Sequence, residues 1–315
     1  TVNRLTFINM ASGSKKVIIA ALIGNSLIAL TKFAAAGMTG SSAMLSEGVH
    51  SLVDTGNQIL LLYGLKQAQK PADEKFPFGH GKEVYFWSFV VAILIFAVGA
   101  GISIYEGIHH ILHPAQITNP MVNYIVLGFA MIFEGGALFF ALSEFNRVRG
   151  KRRAFEAVVK GKDPTLFVVL FEDSAAMLGL VFAFLGVFLS QITGQAYWDG
   201  AASVLIGCIL GLTAAWLAYE TKGLLIGERA DTETVNGIKK ILSEQNGVRK
   251  VNEVLTLHMG PDYILANISL EFSDNLATGQ LESIIHTLDR TIKLSYPQVK
   301  RVFIEAEDHG AVKNS

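Results

Sequence analysis

Six long apolar runs follow one another along the chain. A helix of about 20 apolar residues spans the hydrocarbon core of a bilayer, so these runs predict six transmembrane helices. The runs cover Val17–Met38, Ser42–Leu65, Tyr85–Ile111, Val122–Glu144, Thr165–Ile192 and Gly200–Tyr219.

A shorter segment with a different pattern follows the sixth run. From about Asp231 onward, polar and apolar residues alternate as in amphipathic helices and half-buried strands. Gly260 and Pro261 mark a turn between two strands, and Thr278 is a predicted N-cap of the second helix. The order αββαβ predicts a small α+β domain with helices on one face of a short sheet. Its predicted elements are Asp231–Gln245, Val251–His258, Tyr263–Phe272, Leu276–Leu294 and Val299–Glu305.

Composition and charge place most of the chain in a membrane. Hydrophobic residues make up 51% of the chain and charged residues only 17%, which is too apolar for an ordinary soluble enzyme. Lys and Arg gather before the first run and in the second and fourth connections, whereas the first, third and fifth connections contain none. By the positive-inside rule, we expect both termini of this multi-pass protein to be cytoplasmic.

The chain is therefore predicted to have three parts: a cytoplasmic segment over 1–16, a six-helix transmembrane domain over 17–224, and a cytoplasmic domain over 225–315. The predicted fold class is an all-α membrane bundle joined to a small α+β domain. The polar segment Thr1–Lys16 gives no sign of a cleavable signal peptide. The single cysteine, Cys208, excludes a disulfide framework and a thiolate metal cluster.

His50 and Asp54 lie four residues apart within the second run. That spacing puts both side chains on one face of a helix, where an imidazole and a carboxylate supply half of a divalent metal site. Ionisable groups inside a bilayer are costly and are commonly functional. The alternative is a buried hydrogen bond between the two side chains that only tightens helix packing.

Asp173 in the fifth run is predicted to lie at the same depth as this pair. At 1.5 Å per residue, His50 and Asp54 lie about 12 and 18 Å from the start of their run, and Asp173 lies about 14 Å from the opposite side. In a hydrocarbon core about 30 Å thick, these depths meet near the middle. We therefore predict that His50, Asp54 and Asp173 bind one metal ion.

Other polar residues of the runs are assigned lesser roles. Glu47 lies one turn from His50 and is placed to hydrogen-bond its ring. Glu172 adjoins Asp173 but points about 100° away from it, so we predict that it supports the site, carries a proton or pairs with another helix. For Glu134 in the fourth run, packing and transport both remain open.

Asp73 and His80, in the second connection, form a weaker candidate metal site. Both residue types bind divalent metals. A solvated loop with a lone histidine is the commoner explanation of such a sequence.

Taken together, these residues resemble those of the cation diffusion facilitators, a family of dimeric zinc, iron, cobalt and manganese transporters. The resemblance extends over essentially the whole chain. It implies six helices per subunit, a ferredoxin-like cytoplasmic domain that forms a homodimer, and metal/proton antiport out of the cytoplasm. The resemblance rests on these residues: Leu45 with His50–Asp54 in the second run, Phe78–Lys82 after it, Asp173 in the fifth run and Trp198–Gly200 at the start of the sixth.

The resemblance also implies a ligand set, from which this chain departs at one position. The family draws two ligands from the second span and two from the fifth, each pair four residues apart. His50, Asp54 and Asp173 fill three of these places, whereas Val169 falls at the fourth and cannot bind metal. A water, Glu172 or another helix must complete the site. Zn²⁺ accepts three protein ligands plus water, and a mixed N/O set also suits Co²⁺, Fe²⁺ or Mn²⁺.

The family's other metal sites are less complete in this chain. Its loop site aligns with Asp73, Phe76 and His80, so one ligand is missing there. We therefore predict a cytoplasmic domain that dimerises without a well-formed zinc cluster. The positions usually held by histidines in that domain read Asn252, Ser269 and Glu305, with Glu307 as an acidic remnant and His258 nearby.

The resulting hypothesis is a proton-coupled exporter of divalent metal, first of all Zn²⁺, that works by alternating access. Metal and protons are then substrates, no cofactor and no catalytic residue is expected, and the partners are a second copy of the chain and the bilayer, not nucleic acid. The membrane would be the plasma or inner membrane in a bacterium. A manganese, iron or cobalt exporter is the first alternative. An intramembrane metallohydrolase lacks a ligand-plus-base motif, and the poor ligands of the cytoplasmic domain argue against a metal sensor.

Overall fold

The computed structural model describes residues 22, 25–114, 117, 119–149 and 164–307. The chain divides into two compact units, one made of Thr1–Leu65 and Phe86–Thr221 and the other of Lys66–Tyr85 and Lys222–Ser315. The first unit is a helical bundle, and the second contains a three-stranded sheet. The connection after the second long helix therefore belongs to the unit that contains the sheet.

Six long helices make up the bundle within the described residues. Four of them are long and apolar enough to cross a membrane, in agreement with the third to sixth predicted runs. The second helix is not among these four, because serine, histidine and acidic side chains interrupt its apolar sequence. Residues 17–21, 23 and 24 of the predicted first span lie outside the described residues. The helices are α1 at 25–39, α2 at Ser42–Ala68, α3 at Glu83–Leu112, α4 at Pro120–Arg149, α5 at Pro164–Thr193 and α6 at Tyr197–Ile226.

The start of α2 is held by a buried carboxylate from the start of α6. Asp199 accepts hydrogen bonds from the backbone N–H of Ser42 at 2.6 Å and of Ala43 at 3.3 Å, and from the hydroxyl of Ser41 at 2.6 Å. The first N–H groups of a helix have no partner within the helix, and a negative charge there also suits the helix dipole. Asp199 therefore serves as an N-terminal cap for a different helix from its own.

Small residues let α3 and α6 approach closely. A Cβ atom added to Gly200 would lie 2.8 Å from the carbonyl oxygen of Gly107, and one added to Gly107 would lie 2.7 Å from that of Gly200. Such glycine contacts are common where membrane helices pack backbone to backbone. A π-helical turn over Ile95–Ala100 interrupts α3 before this contact. Ser203 on α6 bridges the two helices by donating to the Ser103 carbonyl at 2.9 Å.

The C-terminal domain has the predicted αββαβ order. Its antiparallel β1–β2 pair and parallel β2–β3 pair form one sheet in the order β1-β2-β3. Fully buried Ile238 and Leu242 on the first helix and Leu288 and Ile292 on the second join Ile268 in one core cluster. The elements are α7 at Thr232–Ser243, β1 at Val248–Gly260, β2 at Tyr263–Phe272, α8 at Thr278–Ser295 and β3 at Val299–Ala306.

The two helices of this domain are capped at their N-termini by different side chains. Asp231 caps α7 by accepting from the Thr234 N–H at 2.9 Å. The predicted N-cap of α8 is wrong, because Thr278 is the first helical residue and Ala277 occupies the cap. Instead of a cap hydroxyl, the Gln280 side chain reaches back and accepts from the Ala277 N–H at 3.0 Å.

Candidate functional site

His50 and Asp54 meet on one buried face of α2. The His50 Nε2 and Asp54 Oδ2 atoms are 3.4 Å apart, and the two side chains are 2% and 7% exposed. This contact is too poorly aligned for a hydrogen bond, and among the described residues both His50 ring nitrogens and Asp54 Oδ1 are buried without hydrogen-bond partners. Buried polar atoms nearly always have partners, so these unpaired nitrogen and oxygen atoms are available to bind a metal ion.

Glu172 of α5 lies against this face of α2. Its Oε1 atom accepts from Asn57 Nδ2 at 2.6 Å, and its carboxyl group neighbours that of Asp54. Two buried carboxylates this close repel each other unless one of them is protonated. The candidate metal-binding pair therefore has a second carboxyl group beside it.

Asp173 is not joined to His50 and Asp54 in this structure. No three His, Cys, Asp or Glu side chains converge on a common metal position within the described ranges. Asp173 is half-buried and lies one helical turn from Val169, which is 36% exposed, whereas Glu172 is 5% exposed. Because neighbouring helix residues point about 100° apart, Glu172 faces α2 and Asp173 belongs to the more open side of α5.

Glu47 is bound by a lysine that the sequence analysis overlooked. Lys32 of α1 donates to Glu47 Oε2 at 3.0 Å and to Ser51 Oγ at 2.7 Å, and both charged side chains are 0% exposed. The predicted hydrogen bond from Glu47 to the His50 ring is not formed. A lone basic residue within the first apolar run was the available signal, since charged groups at membrane depth are rarely incidental.

Glu134 of α4 also belongs to this polar interior. It is 4% exposed, and its charge acts on Glu47, Asp54, Glu172 and Asp173. Four helices thus supply ionisable groups to one buried region: α1, α2, α4 and α5.

The weaker candidate site in the second connection contains one close contact. His80 Nε2 lies 3.0 Å from Asp73 Oδ2, and the Phe76 backbone N–H donates to Asp73 Oδ1 at 2.7 Å. The hydrogen bond with His80, followed by that from Phe76, lowers the pKa of the exposed Asp73 carboxyl below its ordinary value. Two side chains hold each other here, and no third ligand joins them among the described residues.

The cytoplasmic positions that lack histidines form hydrogen bonds with each other. Ser269 Oγ donates to Glu307 Oε2 at 2.7 Å. Asn252 Nδ2 donates to the Glu307 carbonyl at 3.0 Å and to Ser269 Oγ at 3.3 Å. His258 is buried, and its Nδ1 atom lies 3.4 Å from the Gly260 carbonyl. These contacts join β1 and β2 to the residue after β3 without a metal.

Comparison with known proteins identifies the family. Residues 18–226 match the cation efflux transmembrane domain, and residues 230–309 match the cytoplasmic domain of cation efflux proteins. The chain is 34% identical over 278 residues to the mitochondrial proton-coupled zinc antiporter SLC30A9 of Xenopus laevis, covering 87% of this chain and 50% of that protein. It thus spans about half the length of that relative.

Two further relatives have names that do not mention zinc. Metal tolerance protein C4 of Arabidopsis thaliana is 26% identical over 303 residues, covering 96% of this chain and 65% of that protein. The manganese efflux system protein MneP of Bacillus subtilis is 23% identical over 302 residues, covering 94% of this chain and 96% of that protein. The two domain matches together extend over nearly the whole chain, which therefore belongs to the cation efflux family, the cation diffusion facilitators.

Proposed function

We propose that this member of a divalent-cation efflux family exports Zn²⁺ in exchange for protons, with His50 and Asp54 at the centre of its transport site. The observation that carries the proposal is the buried pair whose donor atoms lack hydrogen-bond partners among the described residues. An imidazole beside a carboxylate suits Zn²⁺. The name of the Xenopus relative, a proton-coupled zinc antiporter, supports the same metal and the same coupling.

The third ligand in this proposal is Asp173, which requires a different arrangement of α5 from the one described. Rotating or sliding α5 against α2 would exchange Glu172 for Asp173 at the pair, as expected of a transporter with two states. Metal binding needs deprotonated ligands, so in this proposal one of the neighbouring Asp54 and Glu172 carboxyl groups holds a proton and releases it when metal binds. That release would couple the transport of metal to the transport of protons.

Other parts of the proposal concern the assembly and the membrane. The family is one of transporters, so the chain is not an enzyme and the metallohydrolase alternative is set aside. It is a multi-pass membrane protein with a cytoplasmic C-terminal domain. We propose that this domain forms a homodimer and that both termini are cytoplasmic, the latter from the distribution of Lys and Arg.

The test is metal uptake into proteoliposomes under an imposed pH gradient, with Zn²⁺, Mn²⁺, Fe²⁺ and Co²⁺ compared. We expect Zn²⁺ to be taken up fastest, and uptake to collapse when the gradient is dissipated. Asp54→Ala and His50→Ala should each lower Zn²⁺ uptake more than about 100-fold, because losing a ligand costs more than losing a group that orients one.

The matched control is His286→Ala, which removes an exposed histidine of α8 and should transport normally. Faster uptake of Mn²⁺ than of Zn²⁺ would favour the manganese alternative, which the Bacillus relative's name supports. Normal Zn²⁺ uptake by Asp54→Ala would remove the pair from the transport site.

A further inference from the structure

Lys32 is a buried cation in the membrane bundle. Among the described residues, it is the one Lys or Arg that is buried. Its ammonium group donates to Glu47 Oε2 at 3.0 Å and to Ser51 Oγ at 2.7 Å. A buried charge is tolerated when it is paired and hydrogen-bonded, so α1 and α2 are joined at this point by a strong and specific contact.

The contact lies beside the candidate metal-binding pair. Glu47 and Ser51 are four residues apart on α2, and His50 lies between them in the sequence. Glu47 is thus on the turn that precedes His50. The charge of Lys32 also acts on His50 and Asp54 themselves. Lys32 therefore contributes to the electrostatics of the site without supplying a ligand.

The two oxygens of Glu47 have different surroundings. Lys32 binds Oε2, whereas Oε1 is buried and has no hydrogen-bond partner within the described part of the chain. Oε1 faces Gly179 of α5, and a Cβ atom added to that glycine would overlap it. The glycine makes room for this carboxylate, and Lys32, which binds its other oxygen, holds it in place.

We propose that Lys32 is a positioning residue that controls metal selectivity: by holding Glu47, it keeps an additional carboxylate away from the metal at His50 and Asp54. The inference rests on the proposed transport function. A site with one imidazole and few carboxylates suits Zn²⁺, whereas added oxygen ligands favour harder cations such as Mn²⁺. The charge of Lys32 also offsets part of the negative charge of the region, so that a bound dication can leave.

The experiment compares four purified variants with the wild type: Lys32→Met, Glu47→Gln, the double variant, and Thr31→Ala as control. Thr31 is the exposed neighbour of Lys32 on α1 and bonds within its own helix. Zn²⁺ and Mn²⁺ affinities are measured by calorimetry in detergent, and uptake of both metals is measured in proteoliposomes.

We expect Lys32→Met to lower Zn²⁺ uptake and to raise the Mn²⁺-to-Zn²⁺ affinity ratio, each about tenfold or more, because it frees Glu47. Glu47→Gln should weaken binding of both metals alike, because no carboxylate charge then offsets the positive charge of Lys32. The double variant should recover most of the Zn²⁺ uptake and the wild-type affinity ratio. A merely structural ion pair would change stability without changing that ratio.

An unchanged Mn²⁺-to-Zn²⁺ affinity ratio in Lys32→Met would overturn the inference while leaving the transport function in place. The same conclusion would follow if Zn²⁺ uptake by the double variant fell by the combined effect of the two single substitutions. If the wild type takes up no metal, the proposed function and this inference both fail. Should Lys32→Met not fold, Glu47→Gln decides: equal weakening of both metals supports the role of Lys32, and wild-type affinity refutes it.

Discussion

Two adjacent carboxylates of α5 have different surroundings and, in our proposal, different roles. Glu172 is buried, accepts a hydrogen bond from Asn57 and neighbours the Asp54 carboxyl group, whereas Asp173 is half-buried beside it. In our proposal, the carboxyl group next to a ligand exchanges a proton with it, and the more open carboxylate binds the metal. Substitution of each one separately distinguishes these roles.

We expect Asp173→Asn to weaken Zn²⁺ binding about tenfold or more, because an amide oxygen is a poorer ligand than a carboxylate. Glu172→Gln should retain Zn²⁺ binding but make uptake insensitive to the imposed pH gradient, since its amide cannot carry the proton. Calorimetry and gradient-driven uptake measure the two effects. Glu282→Gln, at an exposed position on α8, is the control. The reverse pattern would make Glu172 the ligand and Asp173 the proton carrier.

At the residue scale, sequence spacing predicted pairs within one helix and missed contacts between helices. The contact of His50 with Asp54 follows from four-residue spacing. The role of Lys32 was not predicted, because one charge hardly alters the hydropathy of a long apolar run. Its partner Glu47 also lies on another helix. Which of Glu172 and Asp173 faces α2 depends on the rotation of α5 about its axis, and no local sequence pattern determines that rotation.

At the scale of the helix, Asp199 determines where α2 begins. The Trp198–Gly200 motif noted in the sequence supplies this carboxylate, and Gly200 next to it permits the close contact with α3. The motif is thus structural in this fold: it places the helix that carries His50 and Asp54, and it touches neither of them among the described contacts.

Asp199→Ala should lower the free energy of unfolding by about 2 kcal/mol or more, because it leaves several buried donors of α2 without an acceptor. Thermal unfolding in detergent, followed by circular dichroism, measures the change. Asp231→Ala, which removes the cap of α7 in the other unit, should leave Zn²⁺ uptake intact, whereas Asp199→Ala should impair it. Unchanged melting and uptake for Asp199→Ala would contradict the capping role.

The helices and strands were largely predictable because their signals are local. Tyr263–Phe272 has the same bounds in sequence and structure, and the long runs became α3 to α6. Helix ends were less predictable: α6 continues to Ile226, beyond the last apolar residue expected, since polar residues extend a helix past the membrane. The π-helical turn at Ile95–Ala100 has no signature in the apolar run that predicted α3.

At the scale of the whole molecule, hydrogen bonds in the cytoplasmic domain hold the residue that follows its last strand. Asn252, Ser269 and Glu307 connect two strands with the residue after the third. Neutral side chains at two of these positions provide little charge for a divalent cation. The cohesion of this domain therefore comes from its packed core and this small network.

We expect the proposed dimer of the protein in detergent to persist after treatment with EDTA, because the hydrogen bonds of this domain form without metal. Size-exclusion chromatography with light scattering measures the mass before and after chelation. Ser269→Ala should slightly lower the melting temperature of the domain without dissociating the dimer. Dissociation on chelation, reversed by added Zn²⁺, would contradict this prediction.

Because Asp199 anchors α2 at Ser42, a rigid tilt of α2 would pivot about that end. Glu47 and Asp54 lie about 8 and 18 Å along the helix from this pivot. A tilt of about 10°, typical of small rigid-body shifts, would move Glu47 by only about 1.3 Å but Asp54 by about 3 Å. Such a tilt would therefore disturb the contact between Asp54 and Glu172 more than the ion pair between Lys32 and Glu47. Lys32 also binds Ser51, which lies farther from the pivot than Glu47, so the two contacts of Lys32 would be displaced unequally. A tilt of α2 would thus act most strongly on the metal-binding end of the helix.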